Sequence, residues 1–423
     1  MENTIISNTF CPMPWIHLYV HTTGDVAPCC ISSDFSLSNI NSSGLESAWN
    51  SDKMKEIRVD MLNGKQHKNC ETCYRQERLG VKSQRLHNLT EQGKSMNNMH
   101  EKLAQTLPDG TFNEFHLEHM DFRFSNLCNF KCRTCNPEFS TSIATENYQN
   151  NIIIGNIESK IHMLSGPTKN HAYEEFKKHY PYIVDIYFAG GEPLIQWEHW
   201  QILKDLTESG RSSAISLCYS TNGSNFNYKG MDPFYYWNQF DEISLCFSVD
   251  AAGTRAEYWR HGSQWSEILG NINKVTSWNK THREKRNPIY VYIASTISWP
   301  NVYAWIDLIK GLIETGTITT ADHMGVNILN GPLEYSLQSI PLFKKEQIRD
   351  ALLEFKVYLS EVFKSGEADQ HIDGIVTFMM ARDTSNSLDF TDLFRIDQIR
   401  QEDFFSVFPE HEDMREILTG SKE

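Results

Sequence analysis

Cys128-Asn-Phe-Lys-Cys132-Arg-Thr-Cys135 decides how the rest of this chain is read. Three thiols in the pattern C-x3-C-x2-C follow directly on an apolar-alternating run, Met120-Asp-Phe-Arg-Phe124. Three thiolates from one loop can hold a single iron–sulfur cluster, and a cubane of about four irons then keeps one iron without a protein ligand. A closed zinc site is the alternative, although such sites usually draw four ligands from two separated C-x2-4-C pairs.

With these residues the chain resembles the radical SAM enzymes, whose signature is this triplet. The resemblance implies a site-differentiated [4Fe–4S] cluster on Cys128, Cys132 and Cys135 whose open iron chelates S-adenosylmethionine. It further implies one-electron cleavage of that cofactor to a 5′-deoxyadenosyl radical, which abstracts a substrate hydrogen. The signature usually carries an aromatic residue before the third cysteine, where this chain has Thr134.

The 423 residues are 40% apolar and 22% charged, ordinary globular material with room for two or three domains. No apolar run approaches ~18 residues and the first residues form no leader, so a cytoplasmic protein without a membrane span is expected. The formal charge of −15 argues against a dedicated nucleic-acid binder. Eight of the ten cysteines fall in two tight groups, which in such a chain favours metal over disulfides.

The second group is Cys11, Cys29, Cys30, Cys70 and Cys73. A strand at Trp15–Val20, a turn through Gly24 and a second short strand form a hairpin that brings Cys11 and Cys29 to one end. A helical stretch from Leu45 to Leu62 returns the chain to Cys70-Glu-Thr-Cys73. Zinc would suit two separated pairs equally well. C-x12-G-x4-C followed by C-x2-C resembles the twitch domain, the shortened SPASM domain. This implies an auxiliary [4Fe–4S] cluster on Cys11, Cys29, Cys70 and Cys73 that acts as an electron relay; the choice between Cys29 and Cys30 stays open.

Downstream, strands alternate with amphipathic helical stretches, the pattern of β/α units on a parallel sheet. Strands are expected at Asp121–Phe124, Ile183–Ala189, Ile215–Tyr219, Ile243–Val249, Ile289–Ser295 and Gly325–Leu329. Helices are expected at Leu194–Ser209, Trp265–Trp278 and Val302–Thr315. The fold class is thus α/β: a partial (β/α)6 parallel barrel preceded by a small α+β iron–sulfur domain of twitch type. The expected boundaries are 1–85 for the twitch-like domain, 86–114 for a linker, 115–335 for the barrel and 336–423 for a helical extension that covers it.

Ligands of parallel barrels bind where the strands end. Gly190-Gly191-Glu192-Pro193 follows the second barrel strand and resembles the radical SAM motif for the cofactor's amino group. Ser220, Asn222, Ser248 and Asp250 end the next two strands, where each could bond a ribose or methionine moiety or cap a helix. Arg260 offers a planar fork for the cofactor carboxylate. No residue is singled out as catalytic. The expected function is radical chemistry on a peptide or protein side chain, with a small molecule as the alternative substrate and a zinc-binding scaffold as the rival reading. The resemblance also implies a reductant such as flavodoxin or ferredoxin as partner.

Overall fold

The computed structural model describes residues 7–32, 35–78, 83–90, 96, 98–153, 159–166, 168–282, 288–329, 331–364, 366–382 and 389–420. In chain order the strands are β1 (His17–Val20), β2 (Asp25–Ala27), β3 (Ser38–Asn39), β4 (His119–Phe122), β5 (Lys131–Cys132), β6 (Asp185–Phe188), β7 (Ser216–Thr221), β8 (Glu242–Ser248), β9 (Arg260–His261), β10 (Ile289–Ile297) and β11 (Met324–Ile328). They fall into two compact units. The first comprises Met1–Cys128, Lys160–Ser220 and Asn227–Ile243, the second Asn129–Ser159, Thr221–Phe226 and Ser244–Glu423.

In the first unit the strand order is β3-β2-β1-β4-β6-β7. Pairing is parallel from β1 through β7 and antiparallel in the β1-β2-β3 meander. Strand β7 alternates, burying Leu217, Tyr219 and Thr221, whereas every residue of β1 is buried. A strand buried at every position reads as a continuous apolar run between neighbours. The second unit places β10 between β8 and β11 and adds a two-stranded antiparallel ribbon of β5 and β9.

The six strands expected downstream of the cysteine hairpin all form, each close to its expected bounds. β4 ends at Phe122 because the chain then leaves the sheet: Phe124 accepts a backbone bond from Leu164, and Ser125 bridges to Met163. The helix expected from Leu45 to Leu62 is two helices, Glu46–Trp49 and Asp52–Leu62. Ser51 separates them by accepting a bond from the Met54 amide, an N-cap. Trp15 belongs to a one-turn helix, Met13–Ile16, favoured by Pro14 in its first turn.

Two expectations about organisation change. The hairpin expected to stand in its own domain continues the parallel sheet, with His17 to Val20 in register with His119 to Phe122. The 86–114 stretch, read as a linker, buries Met99 and Phe112 and leaves residues 107–109 exposed; its Gln92-Gly93 portion lies outside the described residues. Trp15 Nε1 donates to Thr106, and Trp49 Nε1 to the Phe112 carbonyl. Arg58, fully buried, donates to the carbonyls of Pro14 (2.9 Å) and Gly110 (3.2 Å) and to Asn50 (2.9 Å).

In the tail, the expected helix at Lys344–Lys364 runs over Leu342–Phe363 and packs Phe355 edge-on against Trp305, 5.5 Å between centroids. Helices Glu367–Met380, Thr391–Arg400 and Phe404–Val407 follow. No helix among the described residues is long and apolar enough to cross a membrane.

Removing the Arg58 side chain takes the donor away from the buried Pro14 and Gly110 carbonyls, while Asn50 Oδ1 keeps the Phe112 amide. Arg58→Ala should lose about 2–4 kcal/mol of stability in urea unfolding, far more than a surface arginine change would.

Candidate functional site

The first unit carries Gly190-Gly-Glu-Pro193 and Cys128. Gly191 passes so close to the Leu127 carbonyl that a Cβ there would overlap it. The Glu192 amide donates to that same carbonyl at 2.7 Å. Gly190 has a φ of +114°, which glycine alone adopts freely, and lies against the Arg123 side chain. The Glu192 carboxylate is buried, with Oε1 capping the Leu194 amide at 3.1 Å. Pro193 opens the turn that leads into helix Trp197–Glu208. The G-G-E-P turn therefore fixes the backbone immediately before Cys128.

Cys132 and Cys135 belong to the second unit. β5 pairs with β9 so that Cys132 faces Arg260. Arg260 Nη1 lies 3.8 Å from the Cys132 sulfur, and Arg260 Nε lies 2.8 Å from Asp250 Oδ2. The residues flanking Cys132 are anchored as well. Lys131 reaches Glu146 at 2.7 Å, and Arg400 meets the same carboxylate at 2.7 Å. Arg133, with a fully buried side chain, bonds Asp397 (2.5 Å) and Glu402 (2.6 Å) while its guanidinium lies 3.8 Å from the Tyr258 ring centroid. Asp397 also accepts from the Tyr258 hydroxyl and the Phe404 amide. Phe404 and Phe408 pack on Tyr258, and Phe408 also on Trp259.

Sequence reasoning passed over Arg133, Asp397 and Glu402. The signal available was an arginine between two metal-type cysteines, which in a buried loop must find an acidic partner.

The remaining strand-edge residues are placed as follows. The Ser220 hydroxyl lies 2.7 Å from the Tyr187 hydroxyl. Asn222 donates to Asn129 at 2.9 Å and accepts from the Ser224 amide and hydroxyl, which ties it to the residue after Cys128. Ser248 is half-buried at the end of β8. Asp250 is ion-paired with Arg260, so two residues expected to meet the cofactor separately meet one another.

In the first unit, Cys11, Cys29, Cys70 and Cys73 lie near enough to raise one another's thiols. Burial first, then the neighbouring Cys29 and Cys73, push the Cys11 thiol up to about 12. Cys70 is raised by burial and by Cys29, Cys11 and Cys73. Cys30, adjacent in sequence, is raised by burial and then by Asp121. Helix Glu71–Arg78, which carries Cys73, is pinned by the bond from the Tyr74 hydroxyl to the Thr9 carbonyl at 2.9 Å. Ser32 Oγ bonds the Asn69 carbonyl at 2.7 Å and so joins the Cys29 turn to the Cys70 turn. All ten cysteines are free thiols.

Buried and half-buried thiols that oppose one another's ionisation suit a cationic iron–sulfur core, which removes both penalties at once. Among the described residues, the group of three or more His, Cys, Asp or Glu ligand atoms all within 4.8 Å of one another is Glu56, Asp60 and His67. The four thiols form no such group, whereas sulfurs on one tetrahedral zinc would sit ~3.8 Å apart. His67 accepts the Asn69 amide at Nδ1, so its proton is on Nε2, the atom nearest Glu56; a metal there would have to displace it.

Residues 11–74, which span these cysteines, match the family model of SPASM, an iron–sulfur cluster-binding domain. Cys11, Cys29, Cys30, Cys70 and Cys73 all lie inside the matched span. Among solved structures, anSMEcpe with bound AdoMet is 14% identical over 62% of this chain and 64% of its own, with a TM-score of 0.36. Streptococcus suis SuiB bound to S-adenosylmethionine is 12% identical over 73% of this chain and 62% of its own, with a TM-score of 0.35. The chain thus covers a little under two thirds of the length of each. Among curated proteins, none matches this chain.

Gly191→Ala should lower stability by about 1–3 kcal/mol in thermal unfolding, because the Leu127 backbone has to move to admit the methyl group. The Glu146 carboxyl is held below its ordinary value: burial opposes this, but the bonds from Arg400 and Lys131 outweigh it. A depressed carboxylate contributes stability above its unfolded value, ~4.3, and loses it as pH falls through the folded one. Protection factors of the Lys131–Arg133 amides, which correct for the intrinsic pH dependence of exchange, should accordingly fall on acidification, and Arg400→Gln should move that fall to higher pH.

Proposed function

We propose that this chain is a radical SAM enzyme with one auxiliary cluster. The observation that carries the reading is the attachment of the Gly190–Pro193 turn to the Leu127 carbonyl, at the root of the three-cysteine loop. A glycine pair after one parallel strand serves the backbone of a cysteine loop after another, and a plain strand-to-helix turn has no need of that. The SPASM match supports the auxiliary site.

When bound, a [4Fe–4S] cluster on Cys128, Cys132 and Cys135 together with S-adenosylmethionine supplies a 5′-deoxyadenosyl radical for hydrogen abstraction. The chain's own part is to hold and orient. Gly191 and Glu192 set the backbone before Cys128; Arg260 and β9 hold Cys132; Arg133 locks the loop onto Asp397 and Glu402. Asn222, bonded to Asn129, and the Ser220 and Ser248 hydroxyls offer polar groups at the strand ends for the cofactor's ribose and methionine parts. Cys11, Cys29, Cys70 and Cys73 would hold a second cluster, which with four cysteine ligands would serve as an electron relay. Of the adjacent pair Cys29 and Cys30, we assign Cys29 to that set, since Cys11, Cys70 and Cys73 are each within its electrostatic reach. The substrate class that goes with a SPASM domain is a peptide or protein side chain, and the electron donor is a flavodoxin- or ferredoxin-type protein.

Anaerobic reconstitution should load about eight irons per chain in two cubanes. The reduced protein should convert S-adenosylmethionine to 5′-deoxyadenosine, and Cys128→Ala should abolish that conversion. Cys29→Ala should lose about half the iron while Cys30→Ala keeps it. Zinc in place of iron, or no 5′-deoxyadenosine from the wild-type protein, would refute the reading.

A further inference from the structure

Arg260 is pinned from two directions. Its register partner across the β5–β9 ribbon is Cys132, whose sulfur lies 3.8 Å from Nη1. Its Nε lies 2.8 Å from Asp250, whose side chain is 0% exposed against 13% for Arg260 itself. Asp250 is immobile in turn: its Oδ1 accepts the Thr296 amide at 2.8 Å and its carbonyl accepts Asn301 Nδ2 at 3.3 Å. A guanidinium committed to a buried carboxylate and a thiol sulfur has its fork turned toward the protein.

We infer that Arg260 acts through Cys132, as a positioning residue that sets the reduction potential of the cluster on the three-cysteine loop, with Asp250 as its electrostatic counterweight. The inference rests on the function proposed above. Adding an electron to a cluster makes it more negative, so a cation and an N–H···S bond at one ligand favour the reduced state. A carboxylate 2.8 Å from that cation offsets part of the effect. The two side chains therefore pull the potential in opposite directions, and a purely architectural pair would not.

The test is a redox titration of the fully loaded protein without S-adenosylmethionine, following by electron paramagnetic resonance the signal that Cys128→Ala lacks. Arg260→Gln should lower the reduced-to-oxidised ratio at a fixed poise about tenfold, a shift of 59 mV for a one-electron couple. Asp250→Asn should shift the midpoint the other way, and Arg260→Lys, which keeps the charge, should restore most of the wild-type value. S-adenosylmethionine affinity of oxidised Arg260→Gln should stay within about threefold of wild type. Unchanged midpoints with a tenfold or greater loss of that affinity would overturn the inference and make Arg260 a clamp for the cofactor carboxylate. Shifts of the same sign in Arg260→Gln and Asp250→Asn would overturn it too. A wild-type protein that takes up no iron would sink the functional reading itself, an outcome distinct from both.

Discussion

One carbonyl oxygen, that of Leu127, fixes where the three-cysteine loop begins. The loop has little secondary structure of its own, a two-residue strand and a turn from Cys132 to Cys135, so its backbone groups must find partners elsewhere. The Glu192 amide supplies one, and it can do so only because Gly191 has no side chain to hold the segments apart. Glycine at that position is a condition of the hydrogen bond, and the bond is a condition of a defined first sulfur.

The second unit solves the same problem with charge. Arg133 brings two carboxylates from the C-terminal region to the loop, and Lys131 and Arg400 share a third on helix Thr141–Asn150. Buried ion pairs are poor sources of net stability, since desolvation consumes most of what attraction returns. Breaking one is expensive all the same, because an unpaired charge is left in place. Such pairs suit a segment that must hold one arrangement and has no apolar core of its own. The aromatic cover of Phe404 and Phe408 keeps water from Tyr258 and Asp397 and so keeps the pairing stiff.

Much of this was legible in the sequence, for identifiable reasons. Strands such as β7 and β10 declare themselves by alternation, and the cysteine groups by spacing that few other needs explain. The break at Ser51 was readable as a cap but lost to an apolar pattern that ran across it. The pairing of β1 with β4 left no local trace, since its hydrogen bonds join residues about a hundred positions apart; the uniformly apolar Leu18-Tyr-Val20 hinted only at burial on both faces. Cys29 and Cys30 could not be told apart because neighbours in a turn differ by direction, which spacing does not encode. Arg260 and Asp250 each looked like a ligand group, and single-residue reasoning had no means of showing that they satisfy each other.

The register of β1 on β4 bears on how this protein is made. A ribosome releases the cysteine hairpin early, yet its parallel partner, residues 119–122, emerges only after roughly a hundred more residues, several seconds at typical elongation rates. Until then the edge of β1 lacks its parallel neighbour. The amino-terminal strands can therefore join this sheet only once translation has passed residue 122, more than a quarter of the way along the chain.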